Sequence, residues 1–233
     1  MPDLFLKWEK AKPQATYLRQ PVGDAFIDYT WAEVGQQARR MATYLNSLGL
    51  PQGSPIGLVS KNCAHWIIAD LAILLSGHVS VPFYPTLTAD QLQQVLVHSE
   101  CPVLFAGKLD NWAGMKPGVP DGVTLIGFPS YGAAGPTDPD LMAWESIMAQ
   151  YEPMQNVFHP KPDDLFTIIY TSGTTGNPKG VMIDYKAVAQ AMYDTREQML
   201  HDTPNARFFS YLPLCHIAER NIVEAVCLAT GGT

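Results

Sequence analysis

Apolar positions along the chain follow two rhythms, and their alternation predicts the elements. In YTWAEVGQQARRMATYLNSLGL, Val34, Ala38, Met41, Leu45 and Leu48 recur every three or four residues. That spacing gathers side chains on one face of a helix. Thr30 and Glu33 stand three apart at its start, as in a capping box, and Gly49 supplies the glycine on which a helix closes. PIGLVS then reads as a strand, KNCAHWIIADLAILLSG as a helix with an apolar face, and HVSVPFYP as a second strand. Strand, helix, strand at this spacing is a βαβ unit, which requires parallel pairing.

The rhythm repeats downstream. Thr88 and Gln91 open another helix by the same capping logic, and CPVLFAG follows as a strand. From Gly107 to Asp140 the chain is rich in glycine and proline and reads as surface loop, interrupted by the strand VTLIGF. DLMAWESIMAQ predicts a short helix, DDLFTIIYTS a buried strand, YKAVAQAMYDTREQML a helix, RFFSYLP a strand and HIAERNIVEAVCLATGG a helix. The order predicts an α/β fold, a mostly parallel sheet flanked by helices. The end, CLATGGT, follows a helix where a parallel sheet needs its next strand, so the chain reads as cut rather than concluded.

Composition narrows the class. Of 233 residues, 47% are hydrophobic and 16% charged, which supports a globular chain with a sizeable core. A net charge of −7 with no Lys/Arg run argues against a nucleic-acid partner. Cys63, Cys101, Cys215 and Cys227 are widely spaced and form no C-x-x-C pair, so they predict buried thiols rather than a zinc ribbon or a disulfide framework. The N-terminal stretch lacks a signal-peptide core, and its LFLKWEKA reads as a solvated amphipathic turn. The most apolar segment, WIIADLAILLSG, is too short to span a bilayer and contains Asp70. The expectation is a soluble cytoplasmic protein.

Candidate chemistry concentrates in YTSGTTGNPKG, Tyr170 to Gly180, directly after the strand LFTII. In open α/β sheets ligands bind beyond the carboxyl ends of the strands, and this loop begins there. Glycines let backbone approach a ligand, and successive N–H groups form an anion-binding nest. Ser172, Thr174 and Thr175 add hydroxyls, and Lys179 adds a positive charge. The order Gly173-Thr-Thr-Gly176-Asn-Pro-Lys179-Gly180 is not a Walker A loop, because its lysine precedes glycine rather than Ser or Thr. A solvated turn is the bland alternative to a phosphate cradle. His216 and Glu219, three apart on a helix, resemble half of a metal pair, but no second pair accompanies them. A lone histidine in an apolar segment is ordinarily a satisfied core residue, and Cys215 has no neighbouring base.

YTSGTTGNPKGV closely resembles the phosphate-binding signature of the adenylate-forming (AMP-binding) enzymes. GHVSVPFYPTLTADQLQQVLVHSE is similar to the family's first core motif, and YLPLCHIAER to a later one in its long-chain fatty-acyl-CoA synthetase form. The resemblance runs the length of the chain. It implies a ligase: a fatty acid of medium or long chain attacks the α-phosphate of ATP, giving acyl-adenylate and pyrophosphate, and coenzyme A then displaces AMP. It implies that Thr171, Ser172, Gly173, Thr174, Thr175 and Gly176 wrap the β- and γ-phosphates. Thr174 is then the hydroxyl ligand to Mg²⁺, Lys179 contacts pyrophosphate, and His216 lies near the carboxylate. Glu219 and Arg220 belong to the motif without an assigned role.

By the same resemblance, residues 1–233 are the N-terminal portion of the large AMP-binding domain, with sub-lobes at 1–160 and 161–233. A C-terminal domain bearing a catalytic lysine is missing. The chain alone is then expected to be inactive and to expose a sheet edge, a liability that leads to dimers or poor solubility. A fatty-acid substrate leaves room for peripheral membrane association. Two alternatives stay open: an adenylating enzyme that loads a carrier protein, and a non-catalytic nucleotide-binding protein.

Overall fold

A computed structural model describes residues 1–131, 138–171, 178–199, 203 and 206–233. The elements run α1 (Pro2–Ala11), β1 (Thr16–Val22), β2 (Ala25–Thr30), α2 (Trp31–Ser47), β3 (Pro55–Val59), α3 (Ala64–Leu75), β4 (Val79–Phe83), α4 (Ala89–Ser99), β5 (Val103–Ala106) and α5 (Trp112–Met115). They continue with β6 (Thr124–Gly127), β7 (Met142–Ala143), α6 (Trp144–Gln150), β8 (Leu165–Thr171), β9 (Lys179–Asp184), α7 (Tyr185–Met199), α8 (Ile217–Glu219) and α9 (Val226–Thr230). A π-helical stretch, Arg220–Ala225, joins α8 to α9 without a break.

Seven strands form one sheet in the order β7-β6-β5-β3-β4-β8-β9. Every neighbouring pair is parallel except β8 with β9. Strand periodicity divides the core between the sheet's two faces. Ile56, Leu58, Val103 and Phe105 point to a cluster with α2 and α3, whereas Val59, Leu104 and Ala106 point to one with Leu92, Val95 and Leu96 of α4. Gly57 lies where a Cβ would stand 2.9 Å from Leu104 and Phe83 side-chain atoms, so any larger residue there would have to displace them.

Both predicted capping boxes form. Thr30 Oγ1 accepts from Glu33 N at 3.2 Å while Glu33 Oε2 accepts from Thr30 N at 2.7 Å. Thr88 and Gln91 repeat the exchange at 3.3 and 3.0 Å. The face predicted for α2 is the buried one, and Gly49 follows with φ +67°. All of α3 is buried, Asp70 included. The four thiols are free and buried.

Several readings change, among them the surface loop expected from Gly107 to Asp140, where Leu109 and the short helix α5 with Trp112 and Met115 are buried in the core. LFLKWEKA is not a solvated turn: it lies in α1, whose Phe5 is fully buried against Tyr17 and Trp31. Residues 16–30 add a hairpin of β1 and β2, outside the predicted elements. RFFSYLP forms no regular strand; its backbone pairing is two bonds between Ala206, Phe208 and Thr233. Among the described residues, no helix is long and apolar enough to cross a membrane.

Candidate functional site

The sheet brings the carboxyl ends of β4 and β8 side by side, with Ser80 and Thr167 in register. Beyond those ends lies a cavity of about 840 Å³. Its walls come from the β4–α4 connection (Tyr84, Thr86), from α4 (Gln91, Gln94), from the end of β8 (Tyr170, Thr171), and from Pro178 and His216. Parallel strands with helical crossovers leave their carboxyl ends open in this way, which is why the cavity forms here.

Two separately predicted residues, Thr171 and His216, meet in this cavity although they lie far apart in sequence. Lys179 stands next to Pro178, exposed, as the first residue of β9 and directly opposite Thr171 in the antiparallel register. The glycine-rich segment therefore connects two paired strands, and its ends close at the cavity mouth. Ser172, Gly173, Thr174, Thr175 and Gly176 lie outside the described residues. Gly180 allows the strands to pair tightly, since a Cβ there would stand 2.8 Å from Ile168 Cγ2.

His216 caps the helix that starts at Ile217. Its Nδ1 accepts from Ala218 N at 3.2 Å, and its carbonyl accepts from Arg220 N at 3.1 Å. With Nδ1 accepting, the tautomer that fits carries its proton on Nε2, from which it can donate to a ligand oxygen. His216 is thus exposed in the cavity rather than a core residue. Neighbouring Cys215 is buried, and burial pushes its thiol up to about 12, so it stays protonated and inert at neutral pH.

Glu219 is no metal partner of His216. It is buried and accepts from Ser210 Oγ at 3.0 Å and Tyr211 N at 2.9 Å. Asn62 braces the same loop, accepting from Leu214 N at 3.0 Å and donating to Ser210 Oγ and Leu212 O, each at 2.7 Å. Among the described residues, no group of three His, Cys, Asp or Glu is placed to hold a metal ion.

The wall formed by α4 was not assigned by sequence reasoning. Tyr170 does more than end a strand: its hydroxyl bonds His98 Nδ1 at 2.7 Å, and burial raises its pKa. A signal existed, because Thr88 and Gln91 mark a helix starting just past a parallel strand, where ligands bind. The identity of the wall residues, Tyr84 and Gln94 among them, had no separate signature.

The family model described as "AMP-binding enzyme" matches residues 5–233. Fatty acyl-CoA synthetase A of Dictyostelium discoideum is 32% identical over 219 residues, covering 88% of this chain and 32% of that protein. A long-chain-fatty-acid–CoA ligase of Mycobacterium bovis is 32% identical over 229 residues, covering 95% of this chain and 37% of its own. The chain thus spans about a third of the length of these curated relatives. Among solved structures, acetoacetyl-CoA synthetase from Streptomyces lividans superposes with a TM-score of 0.84 at 22% identity, over 100% of this chain and 37% of that one. ATP-bound MatB from Rhodopseudomonas palustris gives 0.78 at 20% identity, over 99% of this chain and 44% of that one.

Proposed function

Because this chain belongs to the AMP-binding enzyme family, we propose that it is part of an ATP-dependent ligase that activates a medium- or long-chain fatty acid. The observation that carries the reading is the meeting of Thr171 and His216 in one cavity at the ends of β4 and β8, with Lys179 at its mouth.

The chemistry follows from charge. A carboxylate and a triphosphate repel, and neither is a good electrophile in water. The fatty-acid carboxylate oxygen attacks the α-phosphorus, the bond from that phosphorus to the bridging oxygen breaks, and pyrophosphate leaves with the electron pair. The resulting mixed anhydride is open to the coenzyme A thiol, which loses its proton, forms the thioester and releases AMP. Catalysis of this kind rests on positioning and on fixed donors at developing negative charge.

The chain's residues are suited to those tasks. Backbone N–H groups and hydroxyls of Thr171, Ser172, Gly173, Thr174, Thr175 and Gly176 are assigned to the β- and γ-phosphates. The Lys179 ammonium is assigned to the departing pyrophosphate. His216 Nε2–H donates to the carboxylate and so holds its attacking oxygen toward phosphorus. The Thr174 hydroxyl would hold the Mg²⁺ that accompanies ATP, which would offset phosphate charge. Residues 1–233 are assigned to the N-terminal part of the large domain, in sub-lobes 1–160 and 161–233, and a lysine-bearing C-terminal domain would complete the site. The long-chain form of YLPLCHIAER and the name of the mycobacterial relative favour a long acyl chain.

The test is acid-dependent pyrophosphate release from Mg·ATP by the natural full-length protein, across acids from acetate to oleate. Release that rises with chain length supports the reading; its absence with every acid overturns it. His216→Ala is expected to lower the rate about 100-fold with the KM for ATP almost unchanged, and Lys179→Ala to raise that KM.

A further inference from the structure

Arg220 is buried, with 1% of its surface exposed, and it sits at the start of the π-helical stretch four residues after His216. Its guanidinium is fully engaged in three directions. Nη2 donates to both Asp70 carboxylate oxygens, at 2.5 and 2.6 Å. Nη1 donates to Thr167 Oγ1 at 2.6 Å, and Nε to Glu224 Oε2 at 3.2 Å. Thr167 in turn donates to Ser80 O at 2.7 Å, and Ser80 Oγ donates to Asp70. The guanidinium also lies over the Phe166 ring, 4.3 Å from its centroid.

These partners are not scattered. Ser80 belongs to β4 and Thr167 to β8, the two strands whose ends form the cavity. Asp70 lies on α3, beneath them. The π-helical turn widens the helix where Arg220 and Glu224 both face inward, a distortion that recurs at functional sites. Burial and the nearby Asp70 push the Glu224 carboxyl well above its ordinary range. Arg220 and Asp70 form a buried ion pair. An isolated buried charge would be strongly unfavourable, so the pair holds its geometry firmly.

We propose that Arg220 and Asp70 are positioning residues, which fix His216 at the cavity by tying the helix it caps to β4 and β8. Through the bond from Arg220 N to His216 O, the anchored residue sets the carbonyl, and with it the ring, of the capping histidine. Glu219 and Asn62 brace the preceding loop, and Arg220 fixes the helix behind it. The inference rests on the reading of His216 as the group that meets the substrate carboxylate.

The test uses the natural full-length protein and four variants: Asp70→Asn, the charge-free pair Arg220→Met with Asp70→Leu, His216→Ala, and the pair combined with His216→Ala. Removing both charges together avoids stranding one of them, and Asp70→Asn keeps the side chain's shape and one acceptor oxygen while removing the charge that pairs with Arg220. Thermal unfolding identifies the folded variants. The folded pair is expected to lose about 100-fold in kcat with the KM for ATP unchanged, and Asp70→Asn about tenfold. In the His216→Ala background the same pair is expected to cost less than about threefold, because the anchor acts through that ring. Full activity of either folded variant, or an equal loss with and without His216, overturns the proposal. If the wild type activates no acid, the functional reading fails alone, and the ¹⁵N resonances of the His216 ring decide the anchor instead. One fixed tautomer in the wild type and averaging in Asp70→Asn supports it; identical ring spectra overturn it.

Discussion

Single residues here take their roles from what surrounds them. His216 and His65 carry the same side chain, yet one faces a cavity and the other is enclosed. His65 Nε2 bonds Gln37 Oε1 at 3.2 Å, and its Nδ1 meets the Tyr131 hydroxyl. Burial lowers the His65 pKa from 6.5 to about 4. The unfolded chain therefore binds a proton at a pH where the folded chain does not. Stability from this residue is fully present above about pH 6.5 and is lost as pH falls toward 4, by up to about 1.4 kcal/mol per pH unit. Urea unfolding between pH 7 and 4.5 should show that decline in the wild type and a shallower one in His65→Gln; equal slopes would contradict it. Glu219 makes a second case. Glu219→Ala would strand the Tyr211 N–H and Ser210 hydroxyl, and urea unfolding should show a loss of about 1–3 kcal/mol. No pattern in the sequence distinguished this acceptor from a metal ligand, because its partners are a backbone amide and a serine that only the folded loop brings near.

Elements were most legible where periodicity and caps agreed. α2 shows both, and α4 begins at the predicted threonine. Thr88→Ala removes one half of the α4 box and should cost about 1 kcal/mol, a fall in Tm of about 2–4 °C for a domain of this size. A scanning calorimetry trace without that fall would mean that packing alone fixes the start of α4. The missed elements have physical reasons. β2 is mostly exposed, so burial does not enforce alternation, although Gly23-Asp24, with Gly23 at φ +58°, is a recognisable hairpin turn. β9 is an edge strand with Val181 and Met182 exposed, and its antiparallel entry breaks the parallel rhythm on which the reading relied. RFFSYLP has the composition of a strand, but its neighbours leave Phe209 and Tyr211 exposed and stacked on each other, and among the described residues no strand pairs with them.

At the scale of the molecule, the sheet is the device that turns separate sequence motifs into a site. Pairing of β4 with β8 places the α4 wall opposite Thr171, and the buried Arg220–Asp70 pair brings the His216 helix to the same cavity. The glycine-rich signature and the histidine were both readable from residue order; their convergence was not, because it depends on strand order, which a linear sequence does not display. The exposed face of β9 at the sheet's edge is also a property of the whole. The proposed activity of the full-length protein is activation of a carboxylate with ATP and its transfer to a thiol. The most direct measurement is mass spectrometry of the products formed by the natural full-length protein from oleate and Mg·ATP, first without and then with coenzyme A. Oleoyl-adenylate is expected in the first case and oleoyl-CoA with AMP in the second; ATP left intact in both, or hydrolysed to ADP without an acyl product, would rule the activity out.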